Sequence, residues 1–131
     1  MIKITIKEVS EKFDLSKDTL RFYEKKGLIG PIKKTSGGIR DYGEEDFARI
    51  EFIKCMRAAE LPIDVLKEYM DLFDEGDKTL AKRKRLLEEQ RKILKDKIDK
   101  MNLAYEKLNY KIDLYYKGKL DEYLKKTKNN D

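Results

Sequence analysis

Apolar residues recur along this chain with two different rhythms. Over roughly the first 76 positions they come in short bursts, three or four residues apart, separated by residues that favour caps and turns. After Asp77 a longer repeat of about seven takes over. The first rhythm predicts several short amphipathic helices around one core. The second predicts one long helix whose apolar stripe needs a partner helix.

The first burst places Ile6, Val9 and Phe13 on one face of a helix starting after Thr5 and running to about Lys12. Thr5 and Glu8 have capping-box spacing, and Ile4 and Val9 stand where a hydrophobic staple forms. Asp14-Leu15 reads as a tight turn, and Ser16 as the N-cap of a second helix that ends at Gly27, a residue suited to a left-handed C′ position. Two short helices joined this way form a helix-turn-helix whose second member is the recognition element. Leu28-Ile29-Gly30-Pro31 then leaves in an extended turn. Ile32–Thr35 and Ile39–Tyr42 read as two short strands around Ser36-Gly37-Gly38, with cationic and aromatic flanks and a small tip. Such a hairpin suits a wing laid along a DNA backbone; the plainer alternative is an exposed surface hairpin.

A third helix starts after Gly43, with Glu44, Glu45 and Asp46 at the positive end of its dipole. It runs to about Glu60, and Phe47, Ile50, Phe52, Ile53 and Met56 supply apolar contacts. Pro62 suits the first turn of a fourth helix. Val65, Leu66, Tyr69, Met70 and Phe73 recur there at helical spacing and are assigned to the core.

Gly76-Asp77 separates this unit from a helix predicted over Lys78 to Tyr116. Its apolar positions Leu80, Leu87, Leu94, Ile98, Met101, Tyr105, Leu108, Ile112 and Tyr115 are spaced 7, 7, 4, 3, 4, 3, 4 and 3, a heptad seam interrupted early by Lys84 and Arg91. At 1.5 Å per residue the helix is on the order of 58 Å long, too long to bury its seam against so small a domain. A second copy of the chain is the simplest partner. The expected division is 1–76 for a DNA-binding domain, 77–117 for a dimerisation helix and 118–131 for a short tail. In that tail Lys119–Lys126, bearing Leu120, Tyr123 and Leu124, is expected to form a further turn or two of helix, and Thr127–Asp131 is expected to fray.

Charge sharpens this outline. The net charge of +5 is distributed as +4 over residues 1–42, −6 over 43–76 and +7 over 77–131. A basic first third fits contact with phosphates, and the acidic middle should face away from them. With 44% charged residues and no run of about 18 apolar ones, a membrane span is not expected. The N-terminus has no apolar leader pattern, so the expected location is the cytoplasm, on the nucleoid. The single cysteine, Cys55, excludes an intramolecular disulfide, and the lack of histidine removes the commonest metal ligand and general base. With no glycine-rich phosphate loop either, an enzyme is not expected, nor a cofactor.

Taken in order, Ile6-Lys7-Glu8-Val9, Thr19-Leu20-Arg21-Phe22-Tyr23-Glu24-Lys25-Lys26-Gly27-Leu28-Ile29, Pro31, Gly38-Ile39-Arg40-Asp41-Tyr42 and Glu45-Asp46 resemble the MerR family of bacterial transcription regulators along nearly the whole chain. The resemblance implies a mainly α fold: a winged helix-turn-helix joined to a long helix that forms an antiparallel coiled coil in a homodimer. It implies that Arg21 and Tyr23 of the recognition helix, and Arg40 and Tyr42 of the wing, contact double-stranded promoter DNA. Ser16, Lys17 and Thr19 at the helix start suit phosphates or base edges, and Gly38 of the wing is assigned to the DNA-binding surface with them. Lys33 and Lys34 read either as phosphate contacts or as solvated surface. Phe22 is expected to pack against the first helix. The chain departs from the family pattern in two places. Ile39 stands where an aromatic is usual, and Gly43 replaces a Ser/Thr cap at a cost of about a few tenths of a kcal/mol.

Family members bind a pseudo-palindrome whose spacer is too long, then bend and untwist it so that RNA polymerase can engage. Metal-sensing members use cysteines near the end of the long helix, and this chain has none beyond residue 76. Cys55 has Glu51, Phe52, Ala58 and Ala59 as helical neighbours, none of them a cation that would favour a thiolate. It reads as a small core residue. Alternatively, because Ile53-Lys54-Cys55-Met56-Arg57 resembles a metal-free subgroup responding to aldehydes or thiol stress, it reads as a switch. Tyr105, Tyr110, Tyr115, Tyr116 and Tyr123 would suit a small organic effector, or simply pack the coiled-coil end. An architectural, excisionase-like DNA binder and a coiled-coil adaptor remain as alternatives.

Overall fold

The computed structural model describes residues 3–118 and 124–126. Among them, five α-helices succeed one another: α1 (Ile6–Phe13), α2 (Lys17–Lys25), α3 (Glu44–Ala58), α4 (Ile63–Asp74) and α5 (Leu80–Tyr116), with a 3₁₀ turn over Asp77–Thr79 leading into α5. The described residues contain no extended strand pairing beyond a single antiparallel bridge, Lys34 to Arg40. The expected two-stranded wing is therefore reduced to a hairpin. Thr35 N–H donates to Ile39 O at 2.8 Å and Asp41 N–H to Lys33 O at 2.7 Å, while Gly38, at φ +81°, turns the tip.

Local signals set most helix boundaries. Thr5 Oγ1 accepts from Glu8 N–H at 3.3 Å, and Ser16 Oγ accepts from Thr19 N–H at 3.0 Å. Asp14, in the left-handed region at φ 52°, makes the turn between α1 and α2. At the end of α2, Gly27 N–H bonds Glu24 O at 3.0 Å and Leu28 N–H bonds Tyr23 O at 2.9 Å, the two bonds of a Schellman motif. Gly27 has φ +75°, which is what this motif demands of its C′ residue. The motif recurs after α3, where Glu60 takes φ 67° and Leu61 N–H bonds Met56 O at 3.0 Å. Pro62 stands one residue earlier than expected, as the N-cap of α4 rather than inside its first turn.

Val9, Leu20, Tyr23, Leu28, Ile29, Ile32, Tyr42, Ile50, Ile53, Leu61, Leu66 and Met70 form one core, with Ile4, Ile6, Phe13, Phe47, Phe52, Met56 and Tyr69 packed around it. Each fully buried Leu or Ile contributes about 1.5–3 kcal/mol. Phe73 is a correction to the core assignment: it is 47% exposed. Two guanidinium groups approach its ring, Arg49 at 5.4 Å and Arg83 at 5.2 Å from the centroid. Arg83 also bonds Thr79 Oγ1 (3.0 Å) and Gly76 O (3.2 Å), and Thr79 is buried with its hydroxyl on Leu72 O, so the start of α5 is tied to α4.

Two compact units meet between Glu88 and Glu89, within α5. The second consists of the distal part of α5 and the residues after that helix. Across its 37 residues, about 55 Å of helix, α5 buries only Leu114. The seam residues Leu80, Leu87, Ile98, Met101, Tyr105, Leu108, Ile112 and Tyr115 are exposed in the single chain, and Leu94 is partly covered. In the tail, residues 124–126 are helical and Leu124 is exposed; Leu120, Tyr123 and Thr127–Asp131 lie outside the described residues.

Candidate nucleic-acid interface

The helix-turn-helix and the hairpin meet through backbone as well as side chains. Ile4 N–H donates to Asp41 Oδ1 and Tyr42 N–H to Ile4 O, both at 3.0 Å, stitching the base of the hairpin to the strand-like segment before α1. Along the extended hairpin arm, residues two apart share a face. Arg40 and Tyr42 therefore both turn toward α2.

On α2 the exposed side carries Ser16, Lys17, Arg21, Phe22, Lys25 and Lys26, with Thr19 half-buried. Ser16 Oγ donates to Thr19 Oγ1 at 2.8 Å, so these two hydroxyls form one polar step at the helix N-terminus. Arg21 reaches only Asp18, one turn back, at 3.1 Å, and both partners are largely in solvent; such a pair contributes little and is easily exchanged. On the hairpin, Lys33, Lys34 and Gly38 are exposed. Arg40 is partly covered and its Nε donates to Glu24 Oε1 at 2.8 Å. That hydrogen bond, with the nearby negative charge, raises the Arg40 pKa, so the guanidinium is held charged.

Tyr23 and Tyr42, both expected to contact DNA, are nearly covered in the single chain. Tyr23 is 6% exposed and Tyr42 2%, and both rings belong to the core. Leu20 and Tyr23 sit three residues apart on the inward stripe of α2, and Tyr23 meets Leu28 across the Schellman motif. Phe22 is the converse correction: instead of packing on α1 it is 42% exposed, with Lys26 Nζ 5.8 Å from its ring centroid. Of the two adjacent aromatics, the deeper burial goes to the one three residues from the buried Leu20. The Tyr42 hydroxyl is buried and has no hydrogen-bond partner among the described residues. Burial, and after it the charge of Glu24, raises its pKa.

Glu24 belongs to the sequence motif but carried no role there. Its signal was its place on α2, one residue past the buried Tyr23 and on the flank that meets the hairpin. Cys55 is exposed on α3, not a core residue. Among the described residues no group of three or more His, Cys, Asp or Glu side chains is placed to hold a metal ion. No helix there is long and apolar enough to cross a membrane. A cleft of about 440 Å³ beside the hairpin is lined by Pro31, Lys33, Tyr42, Gly43 and the acids Asp41, Glu44, Glu45 and Asp46, whose charge disfavours phosphate.

A helix-turn-helix with a basic, exposed second helix and an adjoining cationic hairpin defines a winged DNA-binding regulatory protein. Residues 4–72 match the model of the MerR HTH family regulatory proteins, and residues 47–109 match the MerR DNA-binding model. The chain belongs to the MerR family of transcriptional regulators. Among curated relatives, it is 52% identical over 91 residues to the HTH-type transcriptional regulator AdhR of Bacillus subtilis, a match covering 70% of this chain and 65% of that protein. The aligned stretch thus spans less than two thirds of that relative. Among solved structures, a protein assigned to the MerR family from Listeria monocytogenes superposes with a TM-score of 0.86 at 42% identity, covering 97% of this chain and 96% of its own. HiNmlR, a MerR family regulator lacking the sensor domain and bound to promoter DNA, superposes with a TM-score of 0.80 at 28% identity, covering 90% and 94%. These relatives are transcriptional regulators, a class that is not enzymatic.

Proposed function

We propose that this chain regulates transcription as a homodimer, with the α2 ridge and the hairpin of each copy bound to one half of a pseudo-palindromic promoter. The observation that carries this reading is the exposure of Ser16, Lys17, Arg21, Lys33 and Lys34 on α2 and the hairpin, with Arg40 bonded across the two elements. Lys and Arg neutralise phosphates, and hydroxyls at a helix N-terminus suit phosphate oxygens. The second support is the exposed heptad seam of α5, apolar surface that an antiparallel copy would cover. Held by one coiled coil, two recognition helices enter successive major grooves and distort the spacer between them, the step that lets RNA polymerase engage. A gel shift with the chain's own upstream DNA tests this. A shifted, salt-sensitive complex with two copies per duplex is expected; no complex at moderate salt favours a protein-binding adaptor. DNA bending without any change in transcription favours an architectural binder.

The exposure of Cys55 supports a second element, an electrophile- or thiol-responsive switch on α3. A thiol in solvent is open to aldehydes and oxidants, whereas a packed one is shielded. Cys55→Ser should abolish induction by such agents while leaving DNA affinity unchanged; undiminished induction would end the idea. A small organic effector bound among the exposed tyrosines of α5 is the competing signal, and it predicts induction that survives Cys55→Ser.

A further inference from the structure

Arg40 and Arg21 are the two arginines of the family motif, and the structure treats them differently. Among the described residues, Arg21 pairs with an exposed neighbour on its own helix. Arg40 is anchored at every level. Its backbone forms the single bridge of the hairpin, its Nε is bonded across elements to Glu24, and the side chains of the pair are 33% and 18% exposed. Its two terminal nitrogens have no hydrogen bond among the described residues.

Glu24 is itself confined. A Cβ added to Gly30, which has φ +81°, would stand 3.3 Å from Glu24 Cγ, so the turn into the hairpin closes directly over the carboxylate's stem. Tyr42 is buried on the same side of the hairpin arm as Arg40, and Glu24 and Arg40 both act on its hydroxyl electrostatically. A long side chain normally loses rotamer freedom when it docks on a phosphate. Here that loss is met in the free protein, because a monodentate bond at Nε fixes the guanidinium plane and leaves its outer edge, the bidentate edge for a phosphate, unoccupied.

We propose that Glu24 is a positioning residue for DNA binding: by accepting from Arg40 Nε, it presents the terminal nitrogens of Arg40 to the DNA backbone. The proposal rests on the reading of Arg40 as a phosphate contact given above. Glu24 touches no DNA in this scheme and acts only through Arg40. The hydrogen-bond acceptor matters more than the negative charge, which by itself disfavours DNA.

The test is a double-mutant cycle on the full-length chain, read by fluorescence anisotropy with a labelled duplex of its own upstream region. Glu24→Ala should weaken binding about tenfold, the loss of one charge-assisted hydrogen bond's worth of organisation. Glu24→Gln, which keeps an acceptor oxygen, should stay within about threefold of the parent. In an Arg40→Ala background, Glu24→Ala should have no further effect. Should Glu24→Ala fail to fold, Glu24→Met retains the stem's packing and reports the same coupling. Binding by Glu24→Ala as tight as the parent's, or tighter, would make Glu24 a competitor of the phosphates and overturn the proposal. A loss that persists undiminished in the Arg40→Ala background would overturn it too, while leaving Arg40's own contact intact. Arg40→Ala binding like the parent would instead remove Arg40 from the interface, and the positioning role with it.

Discussion

Replacing Tyr42 with phenylalanine separates a ring that supports the interface from a hydroxyl that touches DNA. The ring is 2% exposed and packed in the core, while the hydroxyl is buried without a partner among the described residues. An unpaired buried polar group costs about 1–3 kcal/mol of desolvation, so Tyr42→Phe removes a penalty and leaves the apolar contacts in place. The expected gain is about 1 kcal/mol, or roughly 3–6 °C in Tm for a chain of this size. Protein concentration must be held fixed, because dimerisation would make Tm depend on it. The same substitution should leave DNA affinity unchanged.

A pH series adds a second readout of the same group. Burial raises the Tyr42 pKa above the ordinary value of 10.0, so the folded chain holds the phenolic proton more tightly than the unfolded one. Stability from this source is fully present below the unfolded pKa and is lost as pH rises through the folded value. Above about pH 10 the parent should therefore lose stability faster than Tyr42→Phe, which has no proton to lose. Thermal denaturation of both proteins at neutral pH and at pH 10–11 measures the difference. A lower Tm for Tyr42→Phe would mean that the hydroxyl is satisfied. Weakened DNA binding at unchanged Tm would mean that it reaches the nucleic acid.

Three further outcomes are expected. Arg40→Ala should weaken binding to every duplex and lower the slope of log K against log salt by about 0.9, the contribution of one phosphate contact; an unchanged slope would exclude a backbone contact. Leu108→Asp places a charge in the exposed seam of α5 and should yield monomer in sedimentation, whereas an intact dimer would refute the assigned heptad. Gly27→Ala puts a Cβ at φ +75°, 2.8 Å from Lys67 Nζ; the lysine tip can move but the backbone strain stays, so unfolding by denaturant should show a loss of about 1–2 kcal/mol.

Much of the fold was legible because it is written in local chemistry. Ser16 caps a helix wherever it is placed before one, and Gly27 ends a helix because it can adopt positive φ; neither needs distant residues. The exposed side of Cys55 was also readable in principle. It lies about half a turn from Ile53 on the same helix, away from the stripe that Ile50 and Ile53 bury. Only the length of the wing's strands was overread: alternating apolar and basic residues suit strands, and the arms pair through a single bridge.

What the sequence determined alone was therefore the order of elements and the membership of the family, along with the apolar spacing of α5; these follow from local caps and from the order of short motifs along the chain. Tertiary structure decided which of the adjacent Phe22 and Tyr23 enters the core, and that the Tyr42 ring supports the hairpin from beneath. It also brought Glu24 to Arg40 across 16 residues. These are choices between chemically similar side chains, or meetings between distant ones. They turn on which surfaces close over one another once the chain has folded.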